Sequence, residues 1–159
     1  MAKHFHKELD KIKKMILSLG AMVEERVRMT VRAVQERDEK LAKEIIERDR
    51  EIDEREVEVE EECLKLLALH QPVAVDLRFL TAVIKINNDL ERIGDEAVNI
   101  AERVAYVATR PPVKIHFDYS IMAEKTEAML KSSLDALVNL DVDLAYRVCL
   151  QDDEVDEMN

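Results

Sequence analysis

The chain has 159 residues, with 35 acidic against 24 basic side chains, a formal charge of -11, two glycines, three prolines and no tryptophan. Few helix breakers among many good helix formers argue against a sheet and for long helices around an aliphatic core of Leu, Ile, Val and Met. The excess of negative charge disfavours nucleic acid or an anionic membrane as the main partner, and no apolar run approaches the roughly 20 residues that span a bilayer.

In chain order, Phe5, Leu9, Ile12, Ile16, Leu19, Val23, Val27, Thr30 and Val34 recur in steps of three and four, widened by Met15, Met22 and Met29. That stripe predicts an amphipathic helix of about 30 residues, of the kind found in bundles. Glu36-Arg37-Asp38-Glu39 reads as a turn, with Asp38 as N-cap of a second helix that carries Leu41, Ile45, Ile52, Val59 and Leu66 and runs to Leu69. Pro72 stops it. A third helix starts near Val73 and runs through Leu77, Leu80, Val83, Ile86, Leu90, Ile93, Ala97, Ile100 and Val104, until Pro111-Pro112 marks the strongest boundary. A fourth helix is predicted over Tyr119–Leu140, and a fifth from Asp143 that is still running at Asn159.

An internal repeat appears at an offset of 103 residues. Thr30–Glu54 aligned without gaps to Ser133–Glu157 gives eight identities in 25 positions, among them Asp38/Asp141, Asp49/Asp152, Glu51/Glu154 and Asp53/Asp156. The fold expected is therefore all-α, a duplicated three-helix unit, with residues 1–110 forming the first bundle and residues 111–159 part of a second. The second copy lacks the rest of its second helix and all of its third, so the chain ends inside a repeat.

Three acidic pairs stand out: Asp49/Asp53, Glu91/Asp95 and Asp152/Asp156. At a spacing of i, i+4 both carboxylates project from one face of a helix, where like charges repel, and a bound cation is one way to offset that repulsion. On the third helix Asn88, Glu91, Asp95, Asn99 and Glu102 fall opposite the apolar positions and form an oxygen-rich stripe. If the second and third helices pack antiparallel, their acidic faces meet along one groove. Oxygen ligands of that kind suit hard cations such as Mg, Mn, Ca or iron. A charged face that is simply solvated is the alternative.

The run Leu69-His70-Gln71-Pro72-Val73-Ala74-Val75-Asp76-Leu77-Arg78, followed by Asn88-Asp89-Leu90-Glu91-Arg92-Ile93-Gly94-Asp95-Glu96-Ala97-Val98-Asn99-Ile100-Ala101-Glu102, resembles the PhoU family of phosphate-transport accessory and regulatory proteins. The resemblance covers nearly the whole chain. It implies tandem three-helix bundles and multinuclear metal clusters, iron first with Mg, Mn or Zn as alternatives, on acidic motifs matched here by Asp49 and Asp53, Glu91 and Asp95, and Asp152 and Asp156. It further implies a cytoplasmic, non-enzymatic negative regulator of the phosphate-starvation response. Such an adaptor couples a phosphate ABC transporter, through its ATPase, to a sensor histidine kinase, and meets the membrane only through these partners. The family's fourth motif has no match here, as in a C-terminally truncated chain. Metal is then expected to favour the first bundle, with a homodimer or higher oligomer covering the open second one.

A metal-carboxylate enzyme or metal store on a helical bundle is the competing function. The histidines weigh against its di-iron form: His4, His6, His70 and His116 fall outside the acidic pairs, and no Glu-x-x-His occurs. His70 is expected to interact at a helix C-terminus. Gly94, inside a helix, is expected to permit close helix packing. Arg78 and Arg92 are candidates to bridge helices or to remain solvated. Cys63 and Cys149 lack metal or redox spacing and are expected to be buried thiols.

Overall fold

A computed structural model describes residues 2–112 and 118–158; His116 and the segment 113–117 lie outside the described residues. Six helices follow one another, α1 (Ala2–Glu36), α2 (Glu39–Glu47), α3 (Asp49–His70), α4 (Ala74–Ala108), α5 (Ser120–Asn139) and α6 (Val142–Asp156). The all-α expectation holds, with no strand among the described residues. No described helix is long and apolar enough to cross a membrane.

The turns are built by the residues that the sequence marks. Asp38 caps α2, its carboxylate accepting from the Leu41 amide at 2.9 Å, and Asp141 caps α6 in the same way through Leu144. This repeats one turn chemistry 103 residues apart and satisfies an amide that the first helical turn leaves without a partner. At the end of α3, Gln71 adopts a left-handed conformation (φ 45°), its amide donating to the Leu67 carbonyl. That backbone closes the helix, while the His70 ring packs against Phe5 with centroids 5.0 Å apart. The cap is thus Gln71, and His70 acts as a packing group. Pro72 and the extended Val73 then lead into α4.

Three expectations are corrected. The second helix is not continuous: it breaks at Arg48 (φ −87°, ψ 2°) into α2 and α3. The last helix ends at Asp156, before a turn. On α4 the buried line is Asn87, Leu90, Gly94, Ala97, Ala101 and Val104, whereas Ile100 is 43% exposed. The apolar stripe is rotated toward small residues because close helix approach, rather than side-chain size, decides which face is buried there.

Helices α1, α3 and α4 enclose the larger part of the core, from Ile12, Ile16, Leu19 and Val23 through Ile52, Val59 and Leu66 to Leu80, Val83 and Leu90. A second cluster joins Ala33 of α1, Leu41, Ala42 and Ile45 of α2, and Ala101 and Val104 of α4. Between the two, α1 buries Arg26 and Thr30. Helix α5 lies along α1, with Leu134 seated at Gly20 and counted among the first cluster, and α6 packs back on α5. Across that contact Lys125 reaches Glu154. The α3–α4 hairpin is antiparallel, which places the acidic faces of these two helices side by side.

Candidate metal centre

Asp49 opens α3, where the unpaired amides of a helix N-terminus favour a carboxylate, and Asp53 follows one turn later on the same side. Asp95 reaches them from α4. Its placement depends on the residue before it. A β-carbon added to Gly94 would stand 3.2 Å from Ile52 Cδ1 and 3.3 Å from Ile52 Cγ2, so the bare glycine lets the buried Ile52 seat against α4. The Ile52–Gly94 contact sets the helix spacing, and the next residue on each helix, Asp53 and Asp95, is thereby brought to the same rim. The close-packing expectation for Gly94 holds.

One carboxylate oxygen from each of Asp49, Asp53 and Asp95 lies within 4.8 Å of the others. Glu91, one turn before Asp95, adjoins the cluster. Burial, the Asp95 charge and a hydrogen bond with Asp95 push its carboxyl above the ordinary range, with smaller contributions from Asp53 and Glu56. Asp49 is also pushed up, chiefly by burial and then by Asp53 and Asp95, while Arg26 pulls it down. Glu56, further along α3, is raised by burial, Glu60 and Asp53. These carboxylates repel one another in the protein alone, and a cation among them would reverse the sign of that interaction.

The donor set fits a hard cation. Ligands at right angles around an ion held at 2.0–2.1 Å are about 3 Å apart, so oxygens within 4.8 Å of one another need to close by at most about 2 Å to share one ion. All are carboxylates, without the thiolate or imidazole that structural zinc favours. Asp49 is half-buried and its two partners are exposed, so solvent can complete the coordination shell.

Of the six carboxylates expected as ligands, the structure unites Asp49, Asp53 and Asp95, with Glu91 beside them. Asp152 and Asp156 are exposed on α6 and belong to no such group among the described residues. The oxygen-rich stripe of α4 divides: Asn88 lines a shallow groove with Glu56, Glu60 and Asp89, whereas Asn99 and Glu102 are exposed further along. Arg92 pairs within its own helix, at 3.7 Å from Asp89, and bridges no other helix among the described residues. Cys149 is exposed, contrary to expectation, and Cys63 is buried.

Two side chains that support the site carry no motif. The guanidinium of Arg26, 2% exposed, donates to the carbonyls of Ile45 (3.4 Å) and Arg48 (3.3 Å) and to Glu51 Oε2 (3.2 Å). Asn87, fully buried, donates from Nδ2 to the Glu56 carbonyl at 2.8 Å and ties α4 to α3. Both occupy core positions of their helices. A charged or amide residue falling in phase with an apolar stripe is the signal that would have found them: Leu19, Val23, Arg26, Thr30 and Ala33 step by 4, 3, 4 and 3.

Comparison with known proteins supplies the relatives. The PhoU domain model matches residues 16–104 and 119–159. The phosphate-specific transport system accessory protein PhoU homolog of Aquifex aeolicus is 38% identical over 152 residues, covering 96% of this chain and 69% of its own length. That of Clostridium acetobutylicum is 37% identical over 157 residues, covering 98% and 72%. The crystal structure of PhoU from Pseudomonas aeruginosa superposes with a TM-score of 0.89 at 34% identity, over 96% of this chain and 74% of that one. The phosphate transport system regulatory protein PhoU from Streptococcus pneumoniae gives 0.86 at 28% identity, over 96% and 72%. These relatives are accessory or regulatory proteins rather than enzymes, and the chain belongs to their family, the PhoU family.

Proposed function

We propose that this chain acts on the cytoplasmic side of a phosphate-specific transport system as its regulatory accessory. It contacts the transporter ATPase and a sensor histidine kinase and restrains the phosphate-starvation response. The observation that carries the reading is the likeness, over 96% of the chain and at more than a third identity, to a protein named for accessory function in that system. The helices packed along α1 offer faces for docking.

The acidic rim adds a cation to this reading. Asp49, Asp53 and Asp95 would hold it, with Glu91 as a further ligand once deprotonated, and iron in a multinuclear cluster is the first candidate, ahead of manganese or magnesium. The bound cation would supply positive charge at a surface that is otherwise strongly negative, able to attract phosphate or an acidic partner face. Within the chain, Asp49 and Asp53 provide one ligand strip, Asp95 and Glu91 the facing strip, and Gly94 the close approach that lets the strips meet. Asp152 and Asp156 have no facing strip among the described residues, so the first half is the half that retains the cation.

Affinity capture with the transporter ATPase and the sensor kinase of the same organism tests the adaptor role. Retention of either by the wild-type chain supports it; a chain that retains neither, with and without divalent cation, refutes it. Metal analysis of the chain and of Asp49→Asn and Asp95→Asn tests the site separately. Equal metal content in all three would remove the cation from the account.

A further inference from the structure

We infer that Arg26 is a positioning residue for the acidic site: its buried guanidinium holds the α2–α3 break that aims Asp49 at Asp53 and Asp95. The inference rests on the reading of these carboxylates as cation ligands, but its structural half stands without a cation.

Helices α2 and α3 would be one helix but for Arg48, whose φ and ψ (−87°, 2°) leave the α-helical region. The Arg48 carbonyl accepts from the Glu51 amide at 3.1 Å, three residues on, which tightens the turn. The same carbonyl accepts from Arg26 Nη2, and the Ile45 carbonyl accepts from Nη1. A kink in a helix calls for an identifiable cause, and a side chain inserted against its carbonyls is one of the recognised ones. No proline or glycine lies near residue 48 to supply another. Arg26 is buried at the joint between the two hydrophobic clusters, and its Nε has no partner among the described residues. A planar fork spreads its donors over two separate nitrogens that reach two carbonyls and a carboxylate, where an ammonium would have to donate to all three from a single nitrogen. Asp49, the residue directly after the break, is the first of the three clustered carboxylates.

The repeat supplies an internal control. In the same register Arg26 corresponds to Met129, Arg48 to Gln151 and Asp49 to Asp152. Where methionine replaces the arginine, α6 runs unbroken from Val142 through Gln151 to Asp156. Glu51 and Glu154 are identical in the two copies, as are the N-caps Asp38 and Asp141. The capping aspartates and the Glu51/Glu154 carboxylate therefore do not make the break by themselves, and it is absent where Arg26 and Arg48 are both replaced.

The test is a pair of variants, Arg26→Met and Arg26→Lys, each crystallised without metal and titrated with Mn2+ by calorimetry. Arg26→Met copies the second repeat. It should straighten the helix through residue 48, carry the Asp49 oxygen out of reach of Asp95, and lower manganese affinity at least tenfold. Arg26→Lys should keep part of both. A core variant with a similar loss of melting temperature, Ile12→Val, should leave manganese affinity within twofold, which separates positioning from general softening. Retention of the break and of the Asp49–Asp95 spacing in Arg26→Met overturns the inference. If that variant fails to fold, Arg26→Lys decides: unchanged spacing and unchanged affinity overturn it equally. Should the wild-type chain take up no manganese, the cation reading fails, and the two crystal structures still settle what Arg26 does to the break.

Discussion

Replacing Asp95 by asparagine should stabilise the cation-free protein, an unusual result for a polar residue at a helix contact. Asp95 places an oxygen within 4.8 Å of both Asp49 and Asp53. Two unit charges at that distance repel by about 0.9 kcal/mol in a medium as polar as water, which is the appropriate choice because Asp53 and Asp95 are exposed. Two such repulsions removed give about 1.7 kcal/mol. Asparagine keeps an acceptor for the Glu91 carboxyl, so that hydrogen bond need not be lost. At about 2.1 cal/mol/K of unfolding entropy per residue, the gain corresponds to a melting temperature about 5 °C higher. The assay is a thermal melt in chelator at low ionic strength, repeated with manganese. In chelator Asp95→Asn should melt above wild type, and the gap should shrink as salt screens exposed charges. With cation at a hundredfold excess over Kd, the wild type should gain about 2.7 kcal/mol and overtake the variant. A variant that melts at or below wild type in chelator would refute the reasoning, because it would mean that these carboxylates do not strain the apo protein.

The remaining expectations are simpler. Asp49, Glu56 and Glu91 are all raised in the folded state, so folding takes up protons and their contribution to stability falls as pH rises from the ordinary carboxylate range through their raised values. Melts in chelator should show that slope above about pH 4, and an Asp49→Asn/Glu91→Gln double variant should flatten it. Ile52→Ala removes the fully buried side chain that seats against Gly94, and should cost about 2–5 kcal/mol in urea unfolding while loosening cation binding. A loss below 1 kcal/mol would contradict the role given to that contact. Burial pushes the Cys63 thiol up to about 11, whereas Cys149 is exposed. Maleimide at neutral pH should therefore modify Cys149 alone in the native chain, and both thiols only after unfolding.

Much of this architecture could be read from the residues, and the exceptions have physical causes. Asp38, Pro72 and the paired prolines gave the helix ends, because capping and proline geometry act locally. Asp49, Asp53 and Asp95 were identifiable as one acidic cluster because helical spacing fixes each strip and a hairpin brings the strips together. The break at Arg48 was not readable: it has no local cause, being imposed by a side chain 22 residues earlier. The rotation of α4 escaped for a related reason. An Ile100 looks more buried than an Ala101 to any scale of hydrophobicity, yet close packing of α4 selects the smaller residue. The proximity of Glu56 to Asp53 follows from their i, i+3 spacing on α3. Asp152 and Asp156 repeat the sequence of the first strip without repeating its surroundings, and a spacing rule cannot see that difference.

The long first helix has a consequence for how the molecule comes apart. At about 1.5 Å per residue, α1 is a rod of about 52 Å. It serves as a common wall for α2, α3, α4 and α5, whereas among the described helices α6 rests on α5 alone. Two segments that share an ancestral pattern thus do not share a boundary at which they could melt separately. Amides in the middle of α1 should exchange only when the whole chain opens, and those of α6 should exchange first, through fraying that leaves the acidic rim intact. Duplication in the sequence has become hierarchy in the fold: one half forms the body, and the other is fastened to its spine.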